Sequence, residues 1–224
     1  MVLPVYNESE SIGYLLNQLL LVKGKCEIIF VDGGSGDDTV KQIKNMGFMA
    51  EISPKKGRAN QMNHGAALAC GDIIWFIHAD SKLPTGALEQ IIKSVDAGCK
   101  IGCFRLKFDS KSLLMSFTAF CSNNIRTRLR NITFGDQGIF ITRELFEEIG
   151  GYADIPLMED YQLSLDIAKA GHRVKLMKKK IVTSERRYRT MGRLKTIFFM
   201  WKLQRRFLRG EDIEIIAREY SQKR

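Results

Sequence analysis

Polar side chains follow three apolar runs of this sequence, each at the point where the run ends. Asn7 and Glu8 come after the first run, Asp32 after the second, and His78 and Asp80 after a later one. Such runs are typical of strands that are buried on both faces of a parallel sheet. Ligands of open α/β sheets bind beyond the carboxyl ends of the strands, so we expect the three clusters to meet in one site. A single Asn or Asp at a strand end is more often a turn former, and the prediction therefore depends on all three.

Asp32 is followed by a glycine-rich stretch, Gly33-Gly34-Ser35-Gly36. A carboxylate accepts hydrogen bonds from a base or from ribose hydroxyls, and glycines let a ligand approach the backbone. The stretch is neither a GxGxxG fingerprint nor a Walker P-loop, which argues against a dinucleotide-binding protein or an ATPase.

Asp80 ends an apolar run, a position that suits a ligand of a hard metal ion. Mg²⁺ bound to a nucleotide typically needs one or two carboxylates together with phosphate oxygens. A loop cap is the alternative role for Asp80, and it is the favoured one if this residue is considered alone.

Strand and helix patterns alternate through the first hundred residues, in the order βαβαβαβα. This order predicts an α/β fold with a mostly parallel sheet flanked by helices. Beyond residue 100 we expect a strand at Ile101–Phe108, a helix over 113–130, and a helix that begins at Asp160. Two helices are expected near the end of the chain, at Arg193–Leu208 and at 211–220.

Positive charge is concentrated near the end of the chain. Residues 172–224 hold 17 Lys+Arg against 5 Asp+Glu, whereas residues 1–171 are close to neutral, and the whole chain of 224 residues carries +10. A basic tail suits an anionic partner, either a membrane surface or a polyphosphate. Within that tail, one apolar stripe falls on a single helical face: Leu194, Ile197, Phe198, Trp201 and Leu208. The stripe predicts either a helix packed on the core or a helix lying in a membrane interface.

Cysteine usage and hydropathy limit the cellular locations that we expect for this protein. The five cysteines form no CxxC pair, so we expect free thiols in a reducing compartment. The sequence opens on a strand pattern rather than a signal peptide, and no apolar run approaches the ~20 residues that span a bilayer. We therefore expect a cytoplasmic protein, with a peripheral position on the inner face of the membrane as the alternative.

Several motifs, in order and at compatible spacing over roughly residues 2–170, together resemble family 2 glycosyltransferases. They are Pro4-Val5-Tyr6-Asn7-Glu8, Val31-Asp32-Gly33-Gly34-Ser35, Lys56-Gly57-Arg58, His78-Ala79-Asp80, Gly135-Asp136-Gln137 and Met158-Glu159-Asp160. Such enzymes have the GT-A fold, a Rossmann-like α/β domain. Within the family the sequence is most similar to the small bacterial rSAM/selenodomain-associated transferases.

The resemblance implies a role for each matched residue. Asp160 would be the catalytic base, and Asp80 would hold Mg²⁺ or Mn²⁺ as the last Asp of the family's DxD motif. Glu159, beside the base, is more typical of a helix-start carboxylate than of a second catalyst. The sugar or acceptor would face Gly135, Asp136, Gln137 and Glu159. The nucleotide would be bound by Pro4, Tyr6, Glu8, Asp32, Arg58 and Arg187.

The sequence departs from the family pattern in two places. His78 replaces the first Asp of DxD, so Asp80 is the one certain carboxylate there. We expect His78 to have a packing role or to support the metal ligands without binding the metal itself. The stretch from Ser184 to Tyr188 resembles the QxxRW motif of processive synthases, but Ser184 and Tyr188 replace its Gln and Trp. Processive synthesis is therefore disfavoured, and Arg187 either clamps a diphosphate or lies in a solvated basic turn.

Together these features predict a GT-A domain over residues 1–190 and a basic helical extension over 191–224. The predicted function is metal-dependent, inverting transfer of a sugar from a nucleotide-diphosphate sugar, with a UDP-sugar favoured, to an acceptor hydroxyl. Two alternatives stay open. One is a nucleotidyltransferase acting on a sugar phosphate, and the other is a non-enzymatic basic module that binds membrane or nucleic acid. With the transferase function, no nucleic-acid partner is expected.

Overall fold

The computed structural model describes residues 1–223, except for the side chain of Arg187. In the described chain the strands are β1 (Val2–Val5), β2 (Ile29–Asp32), β3 (Met49–Ile52), β4 (Ile73–Trp75), β5 (Ile101–Phe108), β6 (Phe140–Thr142) and β7 (Lys175–Thr183). The α-helices are α1 (Ile12–Leu20), α2 (Thr39–Asn45), α3 (Arg58–Leu68), α4 (Ala87–Asp96), α5 (Leu113–Cys121), α6 (Arg143–Glu148), α7 (Glu159–Lys169), α8 (Arg186–Met191), α9 (Arg193–Leu208) and α10 (Ile213–Gln222).

The strands form one twisted arrangement in which most neighbours are parallel. β1, β2 and β3 pair in parallel. On its other side β1 is hydrogen-bonded to the segment after β4, since the Ile77 amide donates to the Val2 carbonyl at 3.0 Å. The order then runs β4, β6, β5 and β7. β6 is antiparallel to both of its neighbours, whereas β5 and β7 are parallel. The expected mostly parallel sheet is thus confirmed, with one reversed strand inside it.

Alternate residues of the central strands point to opposite sides of the sheet. Leu3 and Phe30 pack in the cluster that contains α1 and α4, and Val2 and Val31 pack in the cluster that contains α3. All four side chains are fully buried. Covering both faces requires apolar residues at every position, which is why these strands are continuous apolar runs.

α3 lies very close to the sheet because its contact residues are small. A Cβ added to Gly65 would stand 2.4 Å from Val2 Cγ1 and 2.8 Å from Val31 Cγ2. One turn earlier, the buried Gln61 amide donates to the carbonyls of Val5 and Val31, both at 2.8 Å. Gln61 thus satisfies backbone oxygens at the ends of β1 and β2, next to the predicted site.

The second half of the chain differs in part from the sequence expectation. The helix expected over 113–130 is α-helical only in α5 and continues as a π-helix over Ser122–Leu129. β7 was not predicted, because its exposed lysines interrupt the apolar pattern. α9 has the predicted bounds, and α10 is shifted two residues toward the end of the chain.

α9 packs on the domain through a different face from the predicted stripe. Thr196, Phe199 and Leu203 are its buried residues, and the two apolar ones, Phe199 and Leu203, join a cluster with Met158 and Tyr161. The predicted stripe is mostly exposed, since Leu194, Phe198, Trp201 and Leu208 each keep more than half of their surface. Across the described chain, none of the helices combines the length and the apolar character needed to traverse a bilayer. All five cysteines are free thiols.

The close contact of α3 with the sheet predicts opposite effects for two glycine substitutions. Gly65→Ala should lower the free energy of unfolding by about 1–3 kcal/mol, because the added methyl group overlaps the side chains of Val2 and Val31 and pushes α3 away from the sheet. Gly13→Ala in α1 is the matched control, since nothing lies within 4 Å of its added Cβ. That variant should gain up to about 1 kcal/mol from helix propensity. Urea unfolding measures both, and a stabilised Gly65→Ala variant would contradict the packing described.

Candidate active site

Hydrogen bonds tie together the loops that follow β1 and β2. The Asn7 side-chain oxygen accepts from the Gly36 amide at 2.9 Å, and the Asn7 amide donates to Ser35 Oγ at 2.9 Å. The Glu8 amide donates to Thr39 Oγ1 at 2.8 Å. Asn7 has φ of 52°, a left-handed conformation that asparagine tolerates better than most residues. The polar residues at these two strand ends therefore form a single rigid edge.

The Asp32 carboxylate is hydrogen-bonded within its own loop. Its carboxylate accepts from the amides of Gly34 and Ser35, at 2.9 and 2.8 Å, and from the Ser35 hydroxyl. Only 2% of the residue is exposed. The structure does not bring Asp32 to the cleft described below, and the predicted contact with a base stays a prediction.

A cleft of about 450 Å³ opens at this edge of the sheet. The predicted residues that line it are Pro4, Glu8, Arg58, Asp80, Gly135, Asp136, Glu159 and Asp160. Tyr6 is about half exposed and Gln137 is fully buried, and neither belongs to the described lining. The side chain of Arg187 lies outside the described residues. The structure thus brings together eight predicted residues from segments that are far apart in the sequence.

Asp160 lies in the first turn of α7 and is 4% exposed. Its Oδ2 accepts from the Gly135 amide at 2.8 Å. Its Oδ1 is buried, and no hydrogen-bond partner for it exists within residues 1–223. The residue before α7, Met158, has φ of 65°, an uncommon conformation for a non-glycine residue that often marks a functional site. One carboxylate oxygen is thus fixed by the backbone, while the other has no hydrogen-bond partner in the described chain.

His78 and Gly135 approach each other closely beside Asp160. A Cβ on Gly135 would lie 2.2 Å from His78 Nε2 and 3.2 Å from Asp160 Oδ2. Only glycine therefore allows the imidazole and the carboxylate to flank the same turn. This geometry supports a packing role for His78 next to the predicted metal ligand.

Burial raises the pKa of the Asp160 carboxyl to about 7. The negative charge of Glu159 raises the pKa further, whereas the guanidinium of Arg58 and the Gly135 amide oppose the shift. Arg58 Nη1 pairs with Glu159 Oε1 at 3.2 Å, and both residues line the cleft. A carboxylate whose pKa lies near neutrality is suited to general-base catalysis.

Asp80 follows β4 and is held at the end of β7. Its Oδ2 accepts from Thr183 Oγ1 at 3.3 Å. No group of three or more His, Cys, Asp or Glu that could hold a metal ion by itself exists in the described part of the chain. Asp80 alone suits Mg²⁺ or Mn²⁺ only together with phosphate oxygens from a ligand, as the sequence predicts.

The basic tail forms one wall of the cleft. Arg186 of α8 lies 3.8 Å from the Glu8 carboxylate, so this helix contacts the loop after β1. α9 contributes Phe199 and Met200, and α10 contributes Tyr220, with Lys223 just beyond it. An anionic ligand in the cleft would meet cations from both the domain and the tail.

A model of the family described as glycosyl transferase family 2 matches residues 1–150, which is more than half of the chain. The chain belongs to glycosyl transferase family 2. Its resemblance to the rSAM/selenodomain-associated subgroup stays a prediction.

This family 2 chain also resembles a probable glycosyltransferase, YdaM, of Bacillus subtilis (strain 168). The two are 25% identical over 197 residues, which cover 77% of this chain and 47% of YdaM. The chain thus spans less than half the length of that relative.

Two solved structures share the fold of this family 2 chain. Staphylococcus aureus TarS 1–349 superimposes with a TM-score of 0.66 at 16% identity, over 85% of this chain and 62% of that one. The mannosyltransferase PcManGT from Pyrobaculum calidifontis, in complex with GDP-Man and Mn²⁺, gives a TM-score of 0.63 at 20% identity, over 81% and 55%. These likenesses confirm the predicted GT-A fold.

In this family 2 site Gln137 was predicted to face the sugar or acceptor, and Arg126 was not predicted from the sequence. Gln137 Oε1 accepts from Arg126 at 2.9 Å and from the Thr127 hydroxyl at 3.1 Å. The buried side chain therefore stabilises the turn at Gly135 from the protein interior. Arg126 lines the cleft and lies 3.9 Å from the Asp136 carboxylate. Because Arg126 lies in the π-helix outside any motif, no local signal distinguished it from neighbouring basic residues.

The raised pKa of Asp160 predicts a pH-dependent stability difference between the ligand-free protein and its Asp160→Asn variant. The folded state holds this proton more tightly than the unfolded state, whose Asp pKa is near 3.8. Protonation of Asp160 therefore stabilises the folded state fully below the unfolded-state pKa. This contribution to the free energy of unfolding is lost as pH rises through about 7.

We expect the free energy of unfolding of wild type to fall relative to Asp160→Asn between about pH 4 and pH 7. Urea titrations across this range measure the difference, and other titrating groups cancel because both proteins contain them. A difference that does not change with pH would show that Asp160 ionises normally.

Proposed function

We propose that this chain is a metal-dependent, inverting glycosyltransferase that moves a sugar from a nucleotide-diphosphate sugar to an acceptor hydroxyl. The observation that carries the proposal is the buried carboxylate of Asp160, which lines the same cleft as Asp80. Family membership favours glycosyl transfer over the nucleotidyl transfer or non-enzymatic binding also considered from the sequence.

The charges in the cleft support a nucleotide-diphosphate sugar as donor. Arg58, Arg126, Arg186 and Lys223 line it and complement an anionic diphosphate. Structures of similar proteins contain a nucleoside diphosphate or a nucleotide-diphosphate sugar, namely UDP in TarS and GDP-Man with Mn²⁺ in PcManGT. We favour a UDP-sugar because the motifs of the first two strand ends resemble those that bind uracil, and Pro4 and Glu8 of the first motif line the cleft.

Asp80 would hold the metal ion, Mg²⁺ or Mn²⁺. When bound, the ion neutralises charge that develops on the departing diphosphate. Thr183 donates to Oδ2 of Asp80 and fixes the carboxylate at the end of the sheet. Arg58 and Arg186 lie on the same cleft and add positive charge where the leaving group would sit.

Asp160 would take the proton from the acceptor. The hydroxyl oxygen attacks the anomeric carbon, the bond from that carbon to the diphosphate oxygen breaks, and the hydroxyl proton passes to Asp160 Oδ1. The Gly135 amide keeps Oδ2 in place during this step. A single base on the face opposite the leaving group gives inversion at the anomeric carbon.

Asp160→Asn should separate catalysis from donor binding. Asparagine retains an acceptor for the Gly135 amide but cannot take a proton at neutral pH. We expect turnover to fall by roughly 10²-fold or more, with donor affinity within a few-fold of wild type. Sugar transfer, or slow donor hydrolysis as a proxy, measures turnover, and turnover near the wild-type value would rule out Asp160 as the base.

Asp80→Asn tests the metal assignment. The amide still accepts from Thr183 but is a poor ligand for a hard cation, so UDP affinity should become independent of added Mn²⁺. Calorimetry with UDP, with and without Mn²⁺, makes the comparison. Asp96→Asn, an exposed substitution at the end of α4, is the control and should behave as wild type. Retained Mn²⁺ dependence in Asp80→Asn would show that the ion is held elsewhere.

A further inference from the structure

α9 has two apolar faces, and the domain covers one of them. Phe199 and Leu203 are buried against the domain. On the opposite side, four large apolar residues are 55–66% exposed: Leu194, Phe198, Trp201 and Leu208. Their spacing of four, three and seven residues keeps them on one side of the helix, along about 21 Å of its axis. We call this side the outer face of α9.

Positive charge accompanies the outer face. α9 has no acidic residue along its 16 positions. Lys195, Lys202, Arg205 and Arg209 are exposed within or beside the apolar stripe. The Arg205 guanidinium lies over the Trp201 ring at 5.4 Å, and Lys202 pairs with Glu219 at 3.1 Å. For Lys195, Arg205 and Arg209, no ion pair is present among residues 1–223, so their charges are available to a partner.

We propose that the outer face of α9 lies in the interface of an anionic lipid bilayer. The partner must accept a line of apolar side chains and several cations at the same time. A bilayer with anionic headgroups does both, since the apolar residues enter the acyl boundary while the cations remain among the headgroups. A second copy of this chain would instead bring like charges together, because the same cations would flank the stripe on both partners.

The inner side of the same helix lines the cleft. Phe199 and Met200 belong to the cleft wall, whereas Phe198 and Trp201 point away from it. Lipid binding by the outer face therefore requires neither Asp80 nor Asp160. The inference can hold even where the proposed function fails, and Asp80→Asn should sediment with vesicles as wild type does.

Vesicle co-sedimentation of the full chain tests the proposal. We expect binding to vesicles that contain phosphatidylglycerol and much weaker binding to phosphatidylcholine vesicles, with added salt reducing the difference. The double variant Phe198→Ser, Trp201→Ser should partition at least tenfold less, because both side chains leave the interface. Leu21→Ser, which changes a highly exposed apolar residue outside the tail, is the matched control and should bind as wild type.

A variant that lacks two of the cations provides the second part of the vesicle-binding test. Lys195→Gln, Arg209→Gln should bind anionic vesicles about fivefold less tightly for each cation removed, with no change on neutral vesicles. All substituted side chains are exposed, and circular dichroism verifies that each variant is folded.

Two results would overturn the proposal. One is equal co-sedimentation of wild type and Phe198→Ser, Trp201→Ser. If the double variant then also has a smaller sedimenting mass without lipid, the outer face is assigned to a second copy of the chain. The other is an equal loss of binding in Leu21→Ser, which indicates general adsorption.

Discussion

The site depends on the contact between Gly135, His78 and Asp160. The turn at Gly135 must pass between an imidazole from the segment after β4 and a carboxylate from the first turn of α7. The absence of a Cβ makes this possible, since the nearest imidazole atom would be 2.2 Å away from it. His78 and Gly135 are more than fifty residues apart in the sequence, and Gly135 and Asp160 are 25 apart. Their contact fixes the three segments to one another, and the cleft forms around them.

The same contact sets the electrostatics of the cleft. Burying a carboxylate is costly unless hydrogen bonds and opposite charges compensate for the lost water. Asp160 receives one amide hydrogen bond from Gly135, and the nearby Arg58 is shared with Glu159. This incomplete compensation holds the pKa of Asp160 near neutrality instead of lowering it. A surface aspartate with more solvent would be a weaker base at the same pH.

The tail is part of the site as well as a basic surface. α8 contacts the loop after β1 through Arg186 and Glu8, and α9 and α10 complete one wall of the cleft. The division into residues 1–190 and 191–224 remains a prediction. The two apolar faces of α9 differ in burial, because Phe199 packs against the domain while Phe198 and Trp201 are exposed.

The sequence alone determined the α/β fold and the polar strand ends, because both follow from local periodicity and from where an apolar run stops. It also carried the motifs that identify the family. The tertiary structure decided which of those polar residues face the cleft. Asp32 accepts from the amides of its own loop and Gln137 accepts from Thr127, whereas one oxygen of Asp160 has no hydrogen-bond partner in the described chain. It also reversed β6, added β7, and buried Phe199 rather than the predicted stripe of α9. Such outcomes depend on partners that are distant in the sequence. A local pattern shows the type of a residue, but it does not show which neighbour will accept its hydrogen bonds or cover its apolar surface.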